Sequence, residues 1–332
     1  MRGLELSRRF YEEYGREMIA SRFPDYEAVI AAGIAGEGSD CFGYDDEISR
    51  DHDFEAGFCL WIPDELEHEL EFKLSRAYAK LPESYLGVTR AKHSIWGKNR
   101  RGVILTGEFY CRFTGRPGAP ESLMEWLYTP EYSLACAVNG EVFRDDLGEF
   151  SSIRNVLKQG YPEDVRLKKL AARAALSAQS GQYNLERCIK RGEYGAAALA
   201  LNEFVANALS MIFLLNKTYM PYYKWAFRAA RELPKLSETA ARLESVLTAG
   251  VCSERVMREN GIHEENGIYE ENGIAGEYRL AGEIEHVCAD LIAELETQGL
   301  TDGAWDYLEP HAGEIMERIH DSELRNLHVM VG

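Results

Sequence analysis

Long apolar runs are absent from this chain of 332 residues. No uninterrupted apolar stretch reaches the ~18 residues from which a membrane-spanning helix is predicted. The first residues, Met1 to Glu5, also lack the apolar core of a secretory signal. We therefore expect a soluble, cytoplasmic protein that is not exported and has no membrane partner.

Paired cysteines are missing as well. The chain has seven cysteines, which are scattered along the sequence, and it contains no Cys-x-x-Cys motif. An odd number of scattered thiols is typical of a reducing compartment and not of a disulfide framework. The absence of Cys-x-x-Cys also excludes the commonest type of structural zinc site.

Basic residues are few relative to acidic ones. The chain has 37 lysines and arginines against 55 aspartates and glutamates, so its formal net charge is −18. A negative field of this size repels polyanions and slows their association with the protein. Nucleic acid is therefore not expected as a partner, and a neutral or cationic acceptor suits the charge better. Plain solubility is the alternative explanation of the same acidic excess.

The residues that are present predict a globular α/β domain first. Hydrophobic residues make up 45% of the chain and aromatic residues 11%, which is a globular composition. Apolar residues at steps of four predict a helix over 5–22, and another over 64–80 after Pro63-Asp64. Short apolar runs at 28–34, 58–62 and 103–106 predict strands. Strands that alternate with helices indicate an α/β domain up to about residue 150.

The second half of the chain predicts helices alone. Residues 163–180, 194–216 and 222–247 have helical spacing and are rich in Ala, Leu, Glu, Lys and Arg. We expect a helical bundle over residues 151–332, after an α/β domain with a mixed sheet over residues 1–150. A Glu-Asn-Gly-Ile unit occurs three times between residues 259 and 274. Three short copies are too few for a solenoid, so a surface loop or lid is predicted there.

One spacing in the first domain indicates chemistry. Gly38-Ser39 follows a predicted buried strand, and Asp51-x-Asp53 begins after eleven further residues. Small residues in a turn let backbone N–H groups approach phosphate oxygens, and the Ser39 hydroxyl adds a donor. Two carboxylates at i and i+2 of a strand point to the same face, where they can hold Mg²⁺. A solvated acidic loop after an unrelated turn is the alternative.

This block resembles the nucleotidyltransferase superfamily typified by kanamycin nucleotidyltransferase and DNA polymerase β. In that superfamily a Gly-Ser or Gly-Gly turn is followed after roughly ten residues by Asp-x-Asp or Asp-x-Glu in a strand. The resemblance covers residues 32–62 and is carried by Gly38, Ser39, Asp51 and Asp53. It implies a bacterial branch with a helical C-terminal domain, two Mg²⁺ ions and a nucleoside triphosphate as co-substrate.

The same resemblance implies a third metal-binding carboxylate on a neighbouring strand. Glu108 is the candidate, because it is the only acid between Val103 and Tyr110. Periodicity does not decide whether the strand continues through Glu108 or a helix begins there, and an exposed residue is the alternative. Asp45, Asp46 and Asp145 are further alternatives.

The helical half also loosely resembles the C-terminal domain of antibiotic nucleotidyltransferases, through Asn202-Glu203-Phe204 and residues 216–225. The resemblance implies a general base in this domain, and Glu203 is the candidate. A salt bridge between helices is the alternative role for Glu203. Lys217 and Lys224 are candidates for contacts to the triphosphate, with ordinary surface lysines as the alternative.

These expectations combine into one hypothesis. The protein transfers a nucleotidyl group from a nucleoside triphosphate to a hydroxyl of a small molecule or a protein, and it releases pyrophosphate. Gly38 and Ser39 hold phosphates, and Asp51, Asp53 and Glu108 hold the metal ions. The rival hypothesis is a nucleotide-binding or protein-interaction module that keeps the fold without catalysis.

Overall fold

The computed structural model describes residues 1–50, 54–90, 100–249 and 269–332. The chain divides into two compact units. The first consists of Met1–Glu125 and Thr129–Gly160, and the second of Trp126–Tyr128 and Tyr161–Gly332. Each unit has its own buried apolar residues.

The first unit begins with the predicted amphipathic helix, which is interrupted by one wide turn. It consists of α1 (Gly3–Phe10), a π-helical turn (Tyr11–Gly15) and α2 (Arg16–Arg22). A 3₁₀ turn follows over Pro24–Val29, because proline at the first position ends the preceding helix. Leu6, Phe10 and Met18 are buried, as the spacing of apolar residues predicts.

The predicted mixed sheet is confirmed, and it has four strands, one more than the three apolar runs predict. The strands of the first unit are β1 (Ala31–Ile34), β2 (Cys59–Ile62), β3 (Ser84–Tyr85), β4 (Val88–Thr89), β5 (Gly102–Leu105) and β6 (Glu141–Arg144). The order in the sheet is β5-β2-β1-β6, and β3 and β4 form a separate hairpin. β1 is antiparallel to both β2 and β6, whereas β2 and β5 are parallel. The β1–β6 register shifts between Ala32 and Gly33, so β6 is bulged at the edge of the sheet.

The register brings the end of β1 together with the beginnings of the other three strands. Gly33 pairs with Cys59 at the start of β2, and Cys59 pairs with Gly102 at the start of β5. Ile34 pairs with Glu141 at the start of β6. The loop after β1 therefore lies at the same end of the sheet as the segments that enter β2, β5 and β6.

Helices cover the sheet on both faces. The remaining helices of this unit are α3 (Phe72–Tyr78), α4 (Thr106–Thr114), α6 (Glu131–Val138) and α7 (Glu149–Lys158). Helix α5 (Leu123–Tyr128) begins in the first unit, and its last three residues belong to the second. The predicted helix 64–80 starts with a 3₁₀ turn over Asp64–Leu66 and a π turn over Glu67–Glu71. The composition of the chain changes near residue 150. The first unit continues beyond that point, through α7, to Gly160.

Alternating side chains of β2 build two separate apolar layers. Leu60 and Ile62 pack with Phe10, Phe58 and other buried residues under α1 and α3. On the opposite face the Trp61 ring stacks on Phe150 of α7 with centroids 3.8 Å apart, and it meets Phe109 of α4 edge-on. Complete burial of such a large apolar side chain contributes about 1.5–3 kcal/mol. The short strand β2 is therefore fixed from both sides.

The second unit has helices and no strand within residues 126–128, 161–249 and 269–332. Its helices are α8 (Glu163–Ser177), α9 (Glu186–Lys190), α10 (Tyr194–Leu215), α11 (Tyr223–Ala230), α12 (Ser237–Ala249), α13 (Tyr269–Thr297), α14 (Leu308–Glu317) and α15 (Ser322–Asn326). A π-helical stretch over Ala178–Leu185 joins α8 to α9. Residues 222–247, which have helical spacing throughout, form two separate helices, α11 and α12. Pro234 lacks an N–H, and Leu236 has a positive φ of 59°.

The prediction of a surface loop for the Glu-Asn-Gly-Ile units is wrong for the third copy. Residues 271–274 lie in the backbone of α13, whereas the first two copies lie outside the described residues. A helix that has formed extends by one hydrogen bond for each residue added. The buried residues Ile284, Val287 and Leu291 further along α13 therefore support a helical extension through weak helix formers.

α10 is long and apolar enough to cross a membrane by length and composition, and no other helix in the described part of the chain is. Two thirds of its most apolar window (67%) is buried within the structure. A central helix of a globular bundle is buried in this way.

A buried lysine in the second unit forms hydrogen bonds with the backbone of the last residues of the chain. The side chain of Lys168 on α8 is fully buried, and Nζ donates to the carbonyl oxygens of His328, Val329 and Val331 at 3.0, 2.9 and 2.5 Å. Burial lowers the pKa of Lys168 from its usual value near 10.5 to about 8. The ammonium therefore carries its charge in the folded state only at a cost in desolvation free energy.

We expect Lys168 to make the stability of the second unit depend on alkaline pH. The folded state binds the Lys168 proton less tightly than the unfolded chain, so the free energy of unfolding rises as pH increases from about 8 to 10.5. Chemical denaturation at several pH values checks this. The wild-type free energy of unfolding should rise across that window relative to Lys168→Met. The exposed Lys190→Met is the control, and equal slopes for Lys168→Met and wild type would contradict the expectation.

Candidate functional site

The Gly-Ser turn lies directly after β1, at the end of the sheet where the strands converge. Gly36 turns the chain with a φ of 119°, a conformation that favours glycine. Asn139, just before β6, holds this turn with two hydrogen bonds. Its Oδ1 accepts from the Gly36 N–H at 2.9 Å, and its Nδ2 donates to the Gly36 carbonyl at 2.6 Å.

The carbonyl groups of Gly38 and Ser39 accept hydrogen bonds within the loop, but the N–H groups of these two residues have no described acceptor. The carbonyl oxygens of Gly38, Ser39 and Asp40 accept from the N–H groups of Cys41, Tyr44 and Gly43 at 3.1, 2.9 and 3.1 Å. No described residue accepts from the N–H of Gly38 or Ser39, and the Ser39 hydroxyl has no described partner. Ser39 is partly exposed. The partly exposed Gly38-Ser39 turn therefore has three donors without an acceptor among the described residues, and an oxyanion site requires such donors.

A buried ion pair lies under this turn. Asp40 accepts from Arg101 Nη2 through Oδ2 at 2.5 Å, and from the Cys41 N–H through Oδ1 at 2.9 Å. The two charged side chains are only 5% and 6% exposed. Burial alone would lower the pKa of Arg101, but the charge of Asp40 raises it well above its ordinary value. Arg101 immediately precedes β5, so the pair connects the Gly-Ser turn to the edge strand of the sheet.

Two buried thiols complete this cluster without being reactive. Burial raises the pKa of both Cys41 and Cys59, although Arg101 partly opposes the shift. Cys59 Sγ donates to the carbonyl of Arg100 at 3.2 Å. Both thiols therefore stay protonated at neutral pH, which disfavours a role as nucleophile.

The described chain resumes at Phe54, one residue after the predicted metal ligands. Asp51 and Asp53 themselves lie outside the described residues. A Cβ placed on Gly3 would lie near both Asp40 Cβ and Phe54 Cε2, at 2.6 and 3.2 Å. Phe54 is therefore close to the ion pair under the Gly-Ser turn. Whether Asp51 and Asp53 converge on Ser39 stays a prediction from their spacing.

The entry into β2 is fixed by Tyr78 of α3. Its hydroxyl accepts from the Phe58 N–H at 3.0 Å and donates to the Phe58 carbonyl at 2.8 Å. Burial raises the pKa of Tyr78 to about 12, so the phenol stays neutral. The chain that follows Asp53 is thus held in place from Phe58 onward.

Among the alternative carboxylates, Asp45 differs from the other two. Asp46 and Asp145 bind nearby backbone N–H groups, at Ser49 for Asp46 and at Gly148 and Ser151 for Asp145. Asp45 Oδ2 accepts from the Gly3 N–H at 2.9 Å, but its Oδ1 is buried with no hydrogen-bond partner. A buried carboxylate oxygen without a donor is costly, and a cation would satisfy it.

Glu108 is not on a strand. β5 ends at Leu105, and Glu108 is an exposed residue in the first turn of α4. The helix begins here because Thr106 and Gly107 are followed by Phe109, Tyr110 and Phe113, which are buried on one face. Within the described ranges, no three His, Cys, Asp or Glu side chains form a group that could hold a metal ion.

The candidates in the second unit are all exposed. Glu203 lies on α10, and its backbone carbonyl accepts from Asn207 Nδ2 at 2.8 Å. Lys217 follows α10 with a positive φ of 54°. Lys224 lies on α11, with Nζ 5.1 Å from the centroid of the Trp225 ring. None of the three is buried, so each is accessible to a ligand.

Sequence reasoning missed the residues that shape the turn. Arg101 and Asn139 have no motif around them, and each lies more than 60 positions from the residue that it binds. Arg154 of α7 was missed as well. It donates to the carbonyl oxygens of Asn139 and Gly140 at 2.7 and 3.0 Å, so it holds the backbone of the residue that binds Gly36.

Comparison with known proteins gives two findings. Residues 126–226 match the family described as "Domain of unknown function (DUF4037)". Among solved structures, the chain is similar to a nucleotidyltransferase-like protein from Exiguobacterium sibiricum 255-15, with 12% sequence identity and a TM-score of 0.34. That similarity covers 88% of this chain and 82% of the other. No curated protein matches the sequence.

We expect the Asp40–Arg101 pair to be essential for the fold of the turn. Asp40→Asn leaves the Arg101 guanidinium buried without a counter-charge, which costs about 3–5 kcal/mol of stability. The double variant Asp40→Leu/Arg101→Met removes both charges and should recover a large part of that loss. Chemical denaturation measures all three proteins. A single variant as stable as wild type would contradict the role of the pair.

Gly38 is required by the same geometry. A Cβ at this position would overlap Asp40 Oδ1, which is held by Arg101 and by the Cys41 N–H. We expect Gly38→Ala to cost about 1–3 kcal/mol, as overpacking of a rigid site does. Gly118→Ala is the matched control, because a Cβ there meets no atom within 4 Å. Equal melting temperatures for the two variants would refute the close approach.

Proposed function

We propose that this protein is a Mg²⁺-dependent nucleotidyltransferase. It transfers a nucleoside monophosphate from a nucleoside triphosphate to an acceptor hydroxyl. The observation that carries the proposal is the Gly38-Ser39 turn, whose two N–H groups and one hydroxyl have no acceptor among the described residues. The Asp51-x-Asp53 motif, which follows the turn after eleven residues, adds the acidic groups that such a reaction needs.

The turn suits the phosphates of the nucleotide. Successive N–H groups that point out of a rigid loop bind oxyanions without reorganisation, which favours tight positioning. Asp40, Arg101 and Asn139 supply the rigidity, because they fix the loop from below and from the side. We infer that Gly38 and Ser39 hold the β- and γ-phosphates.

The residues present also suit a divalent cation. Asp51 and Asp53 are the proposed ligands, and their carboxylate oxygens are the donors that Mg²⁺ prefers. The orphaned Asp45 Oδ1 fits a cation in the same loop. Glu108 remains a proposed ligand, although it stands on a helix. Bound Mg²⁺ would supply positive charge to the attacking and leaving oxygens.

The proposed reaction is an in-line displacement. The acceptor oxygen forms a bond to the α-phosphorus, the bond from the α-phosphorus to the bridging oxygen breaks, and pyrophosphate leaves. Glu203 is the proposed base for the hydroxyl proton, and Lys217 and Lys224 are proposed contacts to the triphosphate. The acceptor class is a small molecule or a protein, since a net charge of −18 opposes nucleic acid. A cytoplasmic location suits a cellular nucleotide pool.

One observation favours a second candidate function. Within the described residues no three acidic or metal-binding side chains converge, and Glu108 is exposed on α4. A protein that binds a nucleotide without transferring it needs the Gly-Ser turn but not a complete metal site. This alternative predicts nucleotide binding without the release of pyrophosphate.

The release of pyrophosphate tests the proposal. The wild type should release it from at least one nucleoside triphosphate in the presence of Mg²⁺ and a mixture of acceptors. Asp51→Asn and Asp53→Asn should each abolish the release, and Ser39→Ala should slow it by about 100-fold, since it removes one phosphate donor. Asp25→Asn, at an exposed acid in the Pro24–Val29 turn, is the control.

Binding is measured separately from turnover. A nucleoside triphosphate with Mg²⁺ should raise the melting temperature of the wild type, because it binds the native state. A rise without pyrophosphate release would support the binding module instead. Full activity in both Asp51→Asn and Asp53→Asn would reject the proposed enzyme.

A further inference from the structure

A polar cleft runs beside β6, on the open edge of the sheet in the first unit. Its volume is about 430 Å³, within the range of about 300–1,000 Å³ that small-molecule sites occupy. Residues between Arg8 and Arg16 form one wall, and residues from Glu141 to Asp146 form the other. None of the lining residues belongs to residues 36–44, the loop that contains the Gly-Ser turn.

Ion pairs hold the two walls in place. Arg144 Nη1 donates to Glu27 at 2.8 Å and its Nη2 pairs with Asp146, while Arg8 pairs with Glu141. Arg144 is only 15% exposed, so its pairs are partly shielded from water. The walls of the cleft are therefore preformed.

Three hydrogen-bond donors on these walls have no acceptor among the described residues. Arg8 Nε is buried without a partner, and Arg16 makes no ion pair with any described residue. The Tyr11 hydroxyl accepts from Arg144 and lines the cleft, and its own proton has no acceptor among the described residues. Burial raises the pKa of Tyr11, which keeps that proton in place. Together these groups suit a carboxylate.

One acidic group on the wall is also uncommitted. Glu12 is exposed, lines the cleft and makes no ion pair within the described part of the chain. It is four residues before Arg16, so both side chains reach the same cleft from one helical segment. Glu12 suits an ammonium group, which needs carboxylate acceptors.

The balance of charges decides what kind of ligand fits. Four acidic and three arginine side chains line the cleft. A simple anion would meet more acidic groups than basic ones, and a simple cation would leave the three free donors unsatisfied. A ligand that carries one charge of each sign satisfies both sets of groups.

We propose that this cleft binds a small zwitterion with a carboxylate and an ammonium group, namely an α-amino acid or a dipeptide. The carboxylate meets Arg16, Arg8 Nε and the Tyr11 hydroxyl, and the ammonium meets Glu12. Phe143 offers an apolar surface for the side chain of the ligand, since its ring stacks on Tyr11 with centroids 5.6 Å apart. This site goes beyond the proposed nucleotidyl transfer and does not depend on it.

Calorimetric titration of the intact chain, without nucleotide, tests the proposal. The probes are the twenty common L-amino acids and glycylglycine at constant ionic strength. At least one should bind saturably, and its analogues that lack either the ammonium or the carboxylate should bind at least tenfold more weakly. For L-leucine these analogues are 4-methylpentanoate and 3-methylbutylamine. Failure of every probe to bind, or equal binding of inorganic phosphate, would overturn the proposal.

Variants assign the binding to the cleft. Glu12→Gln and Arg16→Gln should each weaken the best probe at least tenfold. Glu17→Gln and Arg9→Gln are matched controls, because both are exposed on the same helical segment and neither lines the cleft. Their affinity should equal that of the wild type. Unchanged affinity in Glu12→Gln and Arg16→Gln, with unchanged melting temperatures, would show that the probe binds elsewhere.

Discussion

A carboxylate and a guanidinium that are almost completely removed from water hold the converging end of the sheet together. Asp40 belongs to the loop after β1 and Arg101 precedes β5, so their contact joins two strands that are not neighbours in the sheet. Buried ion pairs add little net stability compared with apolar packing, but an unpaired buried charge is severely destabilising. The pair therefore acts mainly by specifying one shape for the Gly-Ser turn. The uncommitted N–H groups of Gly38 and Ser39, and everything proposed for them, require that shape.

Much of the fold was predictable because strong local patterns determine it. The helix before Pro24, the short apolar strands and the long helices α8 and α10 all follow from apolar periodicity and chain breakers. The structure differs from the sequence prediction at two places for one reason. The spacing of apolar residues does not show where a helix begins or ends. Pro234 divides a periodic stretch into α11 and α12, and packing of the later part of α13 extends that helix into a glycine-containing repeat. Periodicity did not decide whether Glu108 lies on a strand or a helix. The buried aromatic residues on one face of α4 account for the helix.

The candidate site was predictable only as a motif. The order Gly38-Ser39, Asp51, Asp53 is visible in the sequence because the motif consists of fixed residue types at close spacing. The residues that shape the turn are not, since Arg101 and Asn139 reach it through the tertiary fold and no local pattern marks them. The cleft beside β6 was missed for the same reason. Its walls come from opposite ends of the first unit, and single charged residues at each end look like an ordinary solvated surface.

The clamp that Asn139 forms on Gly36 has a consequence for the order of folding. The two residues are 103 positions apart, so the hydrogen bonds close a loop that contains most of the first unit. Closure of such a long loop carries an entropic cost that is recovered only when the intervening elements have already packed. During synthesis, we expect the Gly-Ser turn to emerge early but to reach its final geometry late, after β6 has joined β1. The free N–H groups of Gly38 and Ser39 should therefore be among the last features that the nascent first unit acquires.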